Sequence, residues 1–311
     1  MTISIKKDSV IHGDSLEILP KIPSNFATVC ITDPPYNYEF IGKNWNHSEI
    51  ERRKKKVNSI GSRTLVKNIP YGSGLAGGVR NERWYQRNRE NILDYQEWCQ
   101  KWGKEVFRIL KPGGTIAVFN SNRTVAHVQV AMENAGFYAK DILIYRRSSG
   151  IPKGANLKSN MKKKGLDGYN KWDGWHSAFR NELEAITLLQ KPLENNHLNT
   201  FMKYGTSVFY TKSESEKFQS NILEGFKKSK QDKFNIHTTV KPLSLMRFLV
   251  KSLTPPTKDA LIIDPFAGSG STLVAASELN FNYLGIEIEK EYIPIINQRL
   301  KESTDNPELP L

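Results

Sequence analysis

Three observations point to an α/β fold, doubly wound around a mostly parallel sheet and carrying an irregular inserted region. Short apolar, β-prone runs alternate with segments of helical spacing towards both ends of the chain. Two of these runs end in unusual turns, Asp33-Pro34-Pro35-Tyr36 and Asp264-Pro265-Phe266-Ala267-Gly268-Ser269-Gly270. Open α/β sheets bind their ligands at such turns, beyond the carboxyl ends of the strands. Between the ordered ends, the pattern dissolves into polar, basic and aromatic stretches.

From the N-terminus, a short strand is expected near Val10 and Ile11, followed by Gly13-Asp14 and a turn into a short helix. Asp14 suits the N-cap of that helix, where a carboxylate accepts an otherwise unpaired backbone N–H. Ala27-Thr28-Val29-Cys30-Ile31-Thr32 reads as a buried strand feeding the first turn. No periodicity survives over residues 37–91, which hold Arg52, Arg53 and Lys54 in a run of five basic residues. A loop of that length in a compact domain is functional or mobile. Tyr95, Trp98, Trp102, Val106, Phe107 and Leu110 then recur at three- and four-residue steps and predict an amphipathic helix over 94–110.

Lys111-Pro112-Gly113-Gly114 stops that helix, and a strand over 115–119, a helix over 124–135 and a strand over 141–145 follow. Residues 146–235 are again irregular, apart from a strand over 184–189 that is assigned to the core sheet. This stretch holds Lys162, Lys163 and Lys164, a second cluster of Lys227, Lys228 and Lys230, and aromatics that include Trp172, Trp175 and Phe179. Basic residues interleaved with aromatics suit a nucleic-acid surface. The last part reads as a helix over 242–253, opened by Pro242 where a missing N–H matters least. A strand over 260–264, a helix over 271–278, a strand over 282–287 and a helix reaching Leu300 complete it.

With 311 residues the chain can bury a large core in one large domain or two modest ones. Lys and Arg total 45 against 32 Asp and Glu, and the net charge of +13 points to a polyanionic partner such as a phosphate backbone. Two separated cysteines form neither a disulfide framework nor a metal-ligand spacing, so a reducing compartment is expected. The first eight residues lack the apolar stretch of a signal peptide, and no segment is long enough to span a membrane. A soluble, cytoplasmic protein is expected.

The two turns carry the chemistry. Gly268 and Gly270 form Gly-x-Gly without a third glycine, so the dinucleotide fingerprint fails, and no Gly-Lys-Ser/Thr phosphate loop is present. The next strand ends at Glu287, a residue type that accepts hydrogen bonds from both hydroxyls of a ribose. The pair fits an adenosine-containing ligand without pyrophosphate. At the other turn, Asp33 offers a carboxylate acceptor and Pro34 a carbonyl, held by the restricted φ angles of Pro34 and Pro35. An exocyclic amine on a base is a poor nucleophile because its lone pair is delocalised into the ring, and acceptors for its N–H protons help it rehybridise. Tyr36 presents a flat face for a base taken out of the stack. Together the turns suggest methyl transfer to a base amine. The cysteine nucleophile needed for methylation at cytosine C5 has no counterpart in the Pro-Pro turn.

Further strings accompany the two turns: Gly13-Asp14, Lys111-Pro112-Gly113-Gly114, Glu184 with Lys191-Pro192, and His237-Thr238-Thr239-Val240-Lys241-Pro242. The ordered set resembles the permuted, beta group of S-adenosylmethionine-dependent DNA amino-methyltransferases. The resemblance implies a Rossmann-like methyltransferase sheet in which residues 1–145 form the catalytic half, 146–235 a target-recognition region and 236–311 the cofactor half. It places Asp33, Pro34, Pro35 and Tyr36 at the reacting amine, and Phe266, Gly268 and Gly270 against the methionine part of the cofactor, with Asp264 near its amino group. Glu287 would hold the ribose, Ile288 would pack on the adenine, Asp14 would accept from the adenine amine, and Lys241 would face the cofactor carboxylate. Thr238 departs from the group's usual proline and leaves the backbone after His237 less constrained.

Arg52, Arg53, Lys54, Lys162, Lys163 and Lys164 are expected to track phosphates of double-stranded DNA. Asp rather than Ser at the head of the first turn leans towards adenine N6. Cytosine N4 methylation and a catalytically inactive DNA-binding subunit are the alternatives. Members of the group are often dimers, and the resemblance leaves room for a homodimer and for a cognate restriction endonuclease.

Overall fold

The computed structural model describes residues 5–36, 82–147, 154–213, 218–226 and 240–305. The expectations placed on residues 37–81, including Arg52, Arg53 and Lys54, lie outside the described residues, as do those on Lys227, Lys228 and Lys230 and on 237–239.

The described residues build one eight-stranded sheet. In chain order its strands are β1 (Ser9–His12), β2 (Ala27–Thr32), β3 (Leu110–Asn120), β4 (Tyr138–Arg146), β5 (Leu183–Gln190), β6 (Ile222–Leu223), β7 (Leu261–Asp264) and β8 (Asn282–Glu287). They lie side by side in the order β1-β8-β7-β2-β3-β5-β4-β6. The five from β1 to β3 are mutually parallel, β5 is antiparallel to both β3 and β4, and β6 pairs parallel with β4. The helices are α1 (Ser15–Ile18), α2 (Glu82–Ile109), α3 (Val125–Asn134), α4 (Leu157–Lys163), α5 (His197–Tyr204), α6 (Leu243–Leu253), α7 (Ser271–Glu278) and α8 (Tyr292–Asp305).

Alternation along the central strands divides the core between the two faces of the sheet, as a period of two requires. Cys30, Ile116, Val118 and Ile263 face a cluster with Tyr95, Cys99, Trp102 and Val106 of α2 and Val128 and Met132 of α3. Val29, Ile31, Ala117, Phe119 and Ile262 face Leu245, Met246, Leu249 and Val250 of α6. A smaller cluster of Leu273, Val274, Ile296 and Leu300 joins α7 to α8. The result is a helix–sheet–helix sandwich of the expected kind. Cys30 and Cys99 are free thiols within it.

The structure corrects the sequence reading at three places. Helix α2 begins at Glu82, inside the stretch read as irregular, because Trp84 and Tyr85 are adjacent and no apolar stripe marks its first turns. Strand β3 begins at Leu110 and runs through the Lys-Pro-Gly-Gly stop. Its pairing with β2 jumps from Ala27 opposite Leu110 to Val29 opposite Thr115, so the intervening residues form a bulge. Gly113 sits in that bulge at φ +70°, with Thr200 Cγ2 only 2.7 Å from where a Cβ would stand. The region 146–235 is less irregular than expected and holds α4, α5 and β6. Its helices are short and rely on caps: the Asn156 side chain accepts from Ser159 N, that of Asn196 accepts from Asn199 N, and Gly205 ends α5 in the left-handed region.

Candidate active site

β2 and β7 are neighbours in the sheet, with Val29 opposite Ile262 and Cys30 opposite Ile263. From β7 the chain continues to β8 on one side, and from β2 to β3 on the other, which makes the seam between β2 and β7 the point where the winding reverses. Two turns separated by more than two hundred residues therefore emerge together at the crevice where this architecture binds ligands. Thr32 Oγ1 donates to Asp264 Oδ1 at 2.7 Å across the seam. The Ser15 hydroxyl donates to the Pro265 carbonyl and ties α1 to the same turn.

On the β2 side, Asp33 lies against Lys241, which precedes α6. The Lys241 ammonium is 2.7 Å from Asp33 Oδ2, 3.1 Å from Glu184 Oε2 and 3.1 Å from the Tyr36 hydroxyl, to which it donates. It also stands over the rings of Tyr36 and Phe119, at 5.2 and 5.0 Å from their centroids. Burial pulls the ammonium pKa down, but the carboxylates of Asp33 and Glu184 outweigh it and hold the pKa above its ordinary value. The Tyr36 phenol is pushed well up, first by burial and then by the same two carboxylates. Asp33 Oδ1 is buried and has no hydrogen-bond partner. Pro34 is buried and Pro35 half-buried, so the turn is part of the packed edge.

On the β7 side, Asp264 is buried and accepts from Thr32 and from Phe266 N at 3.1 Å. Burial raises its pKa to about 6 against those hydrogen bonds. Glu287, at the end of β8, is also buried, accepting from Gly268 N at 2.6 Å and Glu289 N at 2.8 Å. Burial pushes its pKa up to about 7. Gly268 and Gly270 both have positive φ, at +56° and +80°. A Cβ on Gly270 would come within 2.8 Å of Ile296 Cγ2, so the turn needs glycine there both for its conformation and for its packing.

The remaining expected residues fall as follows. Asp14 caps α1, its Oδ1 accepting from Leu16 N at 2.8 Å. Ile288, just beyond β8, is exposed, an apolar side chain at the rim of the crevice. Lys241 lies against the β2 turn, its ammonium paired with Asp33 and Glu184. Lys162, Lys163 and Lys164 are exposed at the end of α4.

Sequence reasoning missed three contributors. Trp98 and Trp102 look like core positions of a helix, yet their rings lie 5.3 and 5.4 Å from that of Phe266. Arg299 on α8 is buried and donates to the Ser269 carbonyl at 2.6 Å and to the Ser269 and Ser271 hydroxyls at 3.2 Å, bracing the glycine turn. An arginine near the C-terminus carries no sequence signal for such a role.

These donor and acceptor sets suit an adenosine-bearing cation. The glycine turn permits close backbone approach, Glu287 and Asp264 are carboxylates that can accept from hydroxyl and amino groups, and Asp33 Oδ1 leaves an acceptor open beside them. The sequence profile of the DNA methylase family N6_N4_Mtase matches residues 27–298. The type II methyltransferase M.HindIII of Haemophilus influenzae is 30% identical over 311 residues, spanning 96% of this chain and 97% of that protein. Among solved structures, the modification methylase TTHA0409 of Thermus thermophilus in complex with S-adenosyl-L-methionine is similar, with a TM-score of 0.54 and 18% identity. That match covers 94% of this chain and 93% of the other. The cytosine-N4-specific PvuII DNA methyltransferase has a TM-score of 0.58 at 16% identity, over 97% and 92% of the two chains. At that identity the solved structures speak for the fold, whereas the profile and M.HindIII speak for descent: the chain belongs to the S-adenosylmethionine-dependent DNA methylases of the N6/N4 family.

Proposed function

We propose that the protein is a site-specific methyltransferase acting on the N6 amine of an adenine flipped out of duplex DNA. One observation carries the reading: Asp33 Oδ1 is a buried carboxylate oxygen with no partner, beside the cofactor turn. A buried acceptor of that kind is costly unless something donates to it, and a base amine has the N–H to do so. Bound S-adenosylmethionine supplies the methyl group on a sulfonium centre. Asp33 and the Pro34 carbonyl would accept the amine protons, so that the nitrogen lone pair is free to attack, and Tyr36 would support the base. Phe266, Gly268 and Gly270 are assigned to the methionine part of the cofactor, with Asp264 near its amino group. Glu287 is assigned to the ribose, Ile288 and Asp14 to the adenine. Asp rather than Ser at position 33 favours adenine over cytosine N4.

Residues 146–235 would read the target sequence, with Lys162, Lys163 and Lys164 on phosphates. Dimerisation and a companion restriction endonuclease belong to the same proposal. Incubation of unmethylated DNA with labelled cofactor, followed by nucleoside analysis, should yield N6-methyladenine. Asp33→Ala should lower transfer by about a thousandfold while cofactor binding persists. Label in N4-methylcytosine would replace the adenine assignment, and full transfer by Asp33→Ala would overturn the role of that carboxylate.

A further inference from the structure

We propose that Glu184 is a positioning residue for methyl transfer: through the Lys241 ammonium it holds the Asp33 carboxylate so that one oxygen stays open to the incoming amine. The proposal rests on the reading of Asp33 as the acceptor of the amine protons.

The geometry is that of one ammonium shared between two carboxylates. Lys241 donates a hydrogen bond to the Tyr36 hydroxyl at 3.1 Å and forms ion pairs with two carboxylates, Asp33 Oδ2 at 2.7 Å and Glu184 Oε2 at 3.1 Å. Lys241 is only 11% exposed, so bulk water competes weakly for its protons. Asp33 Oδ1 is thus left without a donor, although a cation lies on the other oxygen of the same carboxylate. Removing Glu184 would leave the ammonium with one carboxylate instead of two, and Asp33, whose Oδ1 has no partner, would then draw it in alone. A lysine that grips both oxygens of Asp33 blocks the position the amine must reach.

Charge works in the same direction. Two carboxylates share one ammonium, so Lys241 does not fully neutralise Asp33. The Arg147 guanidinium, 3.5 Å from Glu184 Oε1, completes an alternating line of charges from the catalytic turn to the end of β4. Arg147 is itself held, its Nη2 donating to the Asn181 carbonyl at 3.0 Å. Glu184 reaches the site because β5 runs antiparallel to β3. The start of β5, rather than its end, therefore stands at the edge where the parallel strands deliver their turns.

The test compares Glu184→Ala and Glu184→Gln with the unmodified chain in single-turnover transfer of labelled methyl to DNA. Affinities for S-adenosylmethionine and DNA, and melting temperatures, are measured alongside. Glu184→Ala should slow transfer by about 100-fold, the size of effect seen when a reacting group is misplaced. Glu184→Gln, which keeps an oxygen acceptor but not the charge, should recover about tenfold of that loss. Both should bind cofactor and DNA within about threefold of the unmodified protein, which marks a transition-state effect. A rate for Glu184→Ala within about threefold of normal, or a loss confined to cofactor or DNA affinity, would overturn the proposal. If Glu184→Ala does not fold, Glu184→Gln decides alone: a tenfold loss at unchanged affinity supports the proposal, and a normal rate sinks it. Asp33→Ala serves as the control. Full transfer by that variant overturns the reading of Asp33, whereas a strict need for Asp33 without any need for Glu184 overturns this inference only.

Discussion

Glu287 shows how much one buried carboxylate can report. In the ligand-free protein, burial pushes its pKa up to about 7, so at pH 6 it holds a proton for most of the time. Ribose hydroxyls donate to the ionised form, an acceptor-only group. With Glu287 on the ribose, as proposed, cofactor binding below pH 7 releases a proton, and above pH 7 it does not. The affinity for S-adenosylmethionine should therefore tighten by about tenfold between pH 6 and 8 and level off beyond. Titration calorimetry at several pH values, in buffers of different ionisation enthalpy, reads both the affinity and the released proton. Glu287→Gln should bind more weakly and keep only the smaller change, about twofold, that Asp264 with its pKa of about 6 contributes, and a flat profile in the unmodified protein would remove Glu287 from the ribose. The residue was legible in the sequence because it ends a strand following a glycine turn. Its raised pKa was not legible, because that comes from atoms packed around it.

Among the elements, the turn between β7 and α7 depends on the helix behind it. Gly270 holds φ +80° with Ile296 of α8 closing the space where a side chain would begin. Gly270→Ala should lower unfolding free energy by about 2–4 kcal/mol, combining backbone strain with a forced shift of Ile296. Thermal melting of ligand-free protein would check it, and an unchanged midpoint would show that the turn relaxes at no cost. The ends of the chain were readable element by element: α7 and β8 fall at the expected bounds. The starts of α2 and β3 were not, since a helical start without an apolar stripe and a strand carrying Pro-Gly-Gly both contradict the local cues.

For the molecule as a whole, charge governs the encounter with DNA. A net charge of +13 predicts affinity that falls steeply as salt rises. Replacing Lys162, Lys163 and Lys164 by Ala should weaken binding to all sequences alike and lower the salt slope by about one for each lysine that meets a phosphate. Binding titrations across salt concentrations measure the slope, and a triple variant that keeps the original slope would take the end of α4 out of the interface. No helix among the described residues is long and apolar enough to cross a membrane.

Local pattern was enough to locate the two turns, their order along the chain and the chemistry each can offer. Strand propensity, proline φ restriction and glycine freedom act within a few residues, and a sequence displays them directly. The pairing of β2 with β7 and the antiparallel insertion of β5 are long-range hydrogen-bonding choices with no local signature. Only the folded sheet brings Glu184 and Lys241 onto Asp33, because a largely buried ammonium needs the counter-charges that the strands deliver to it.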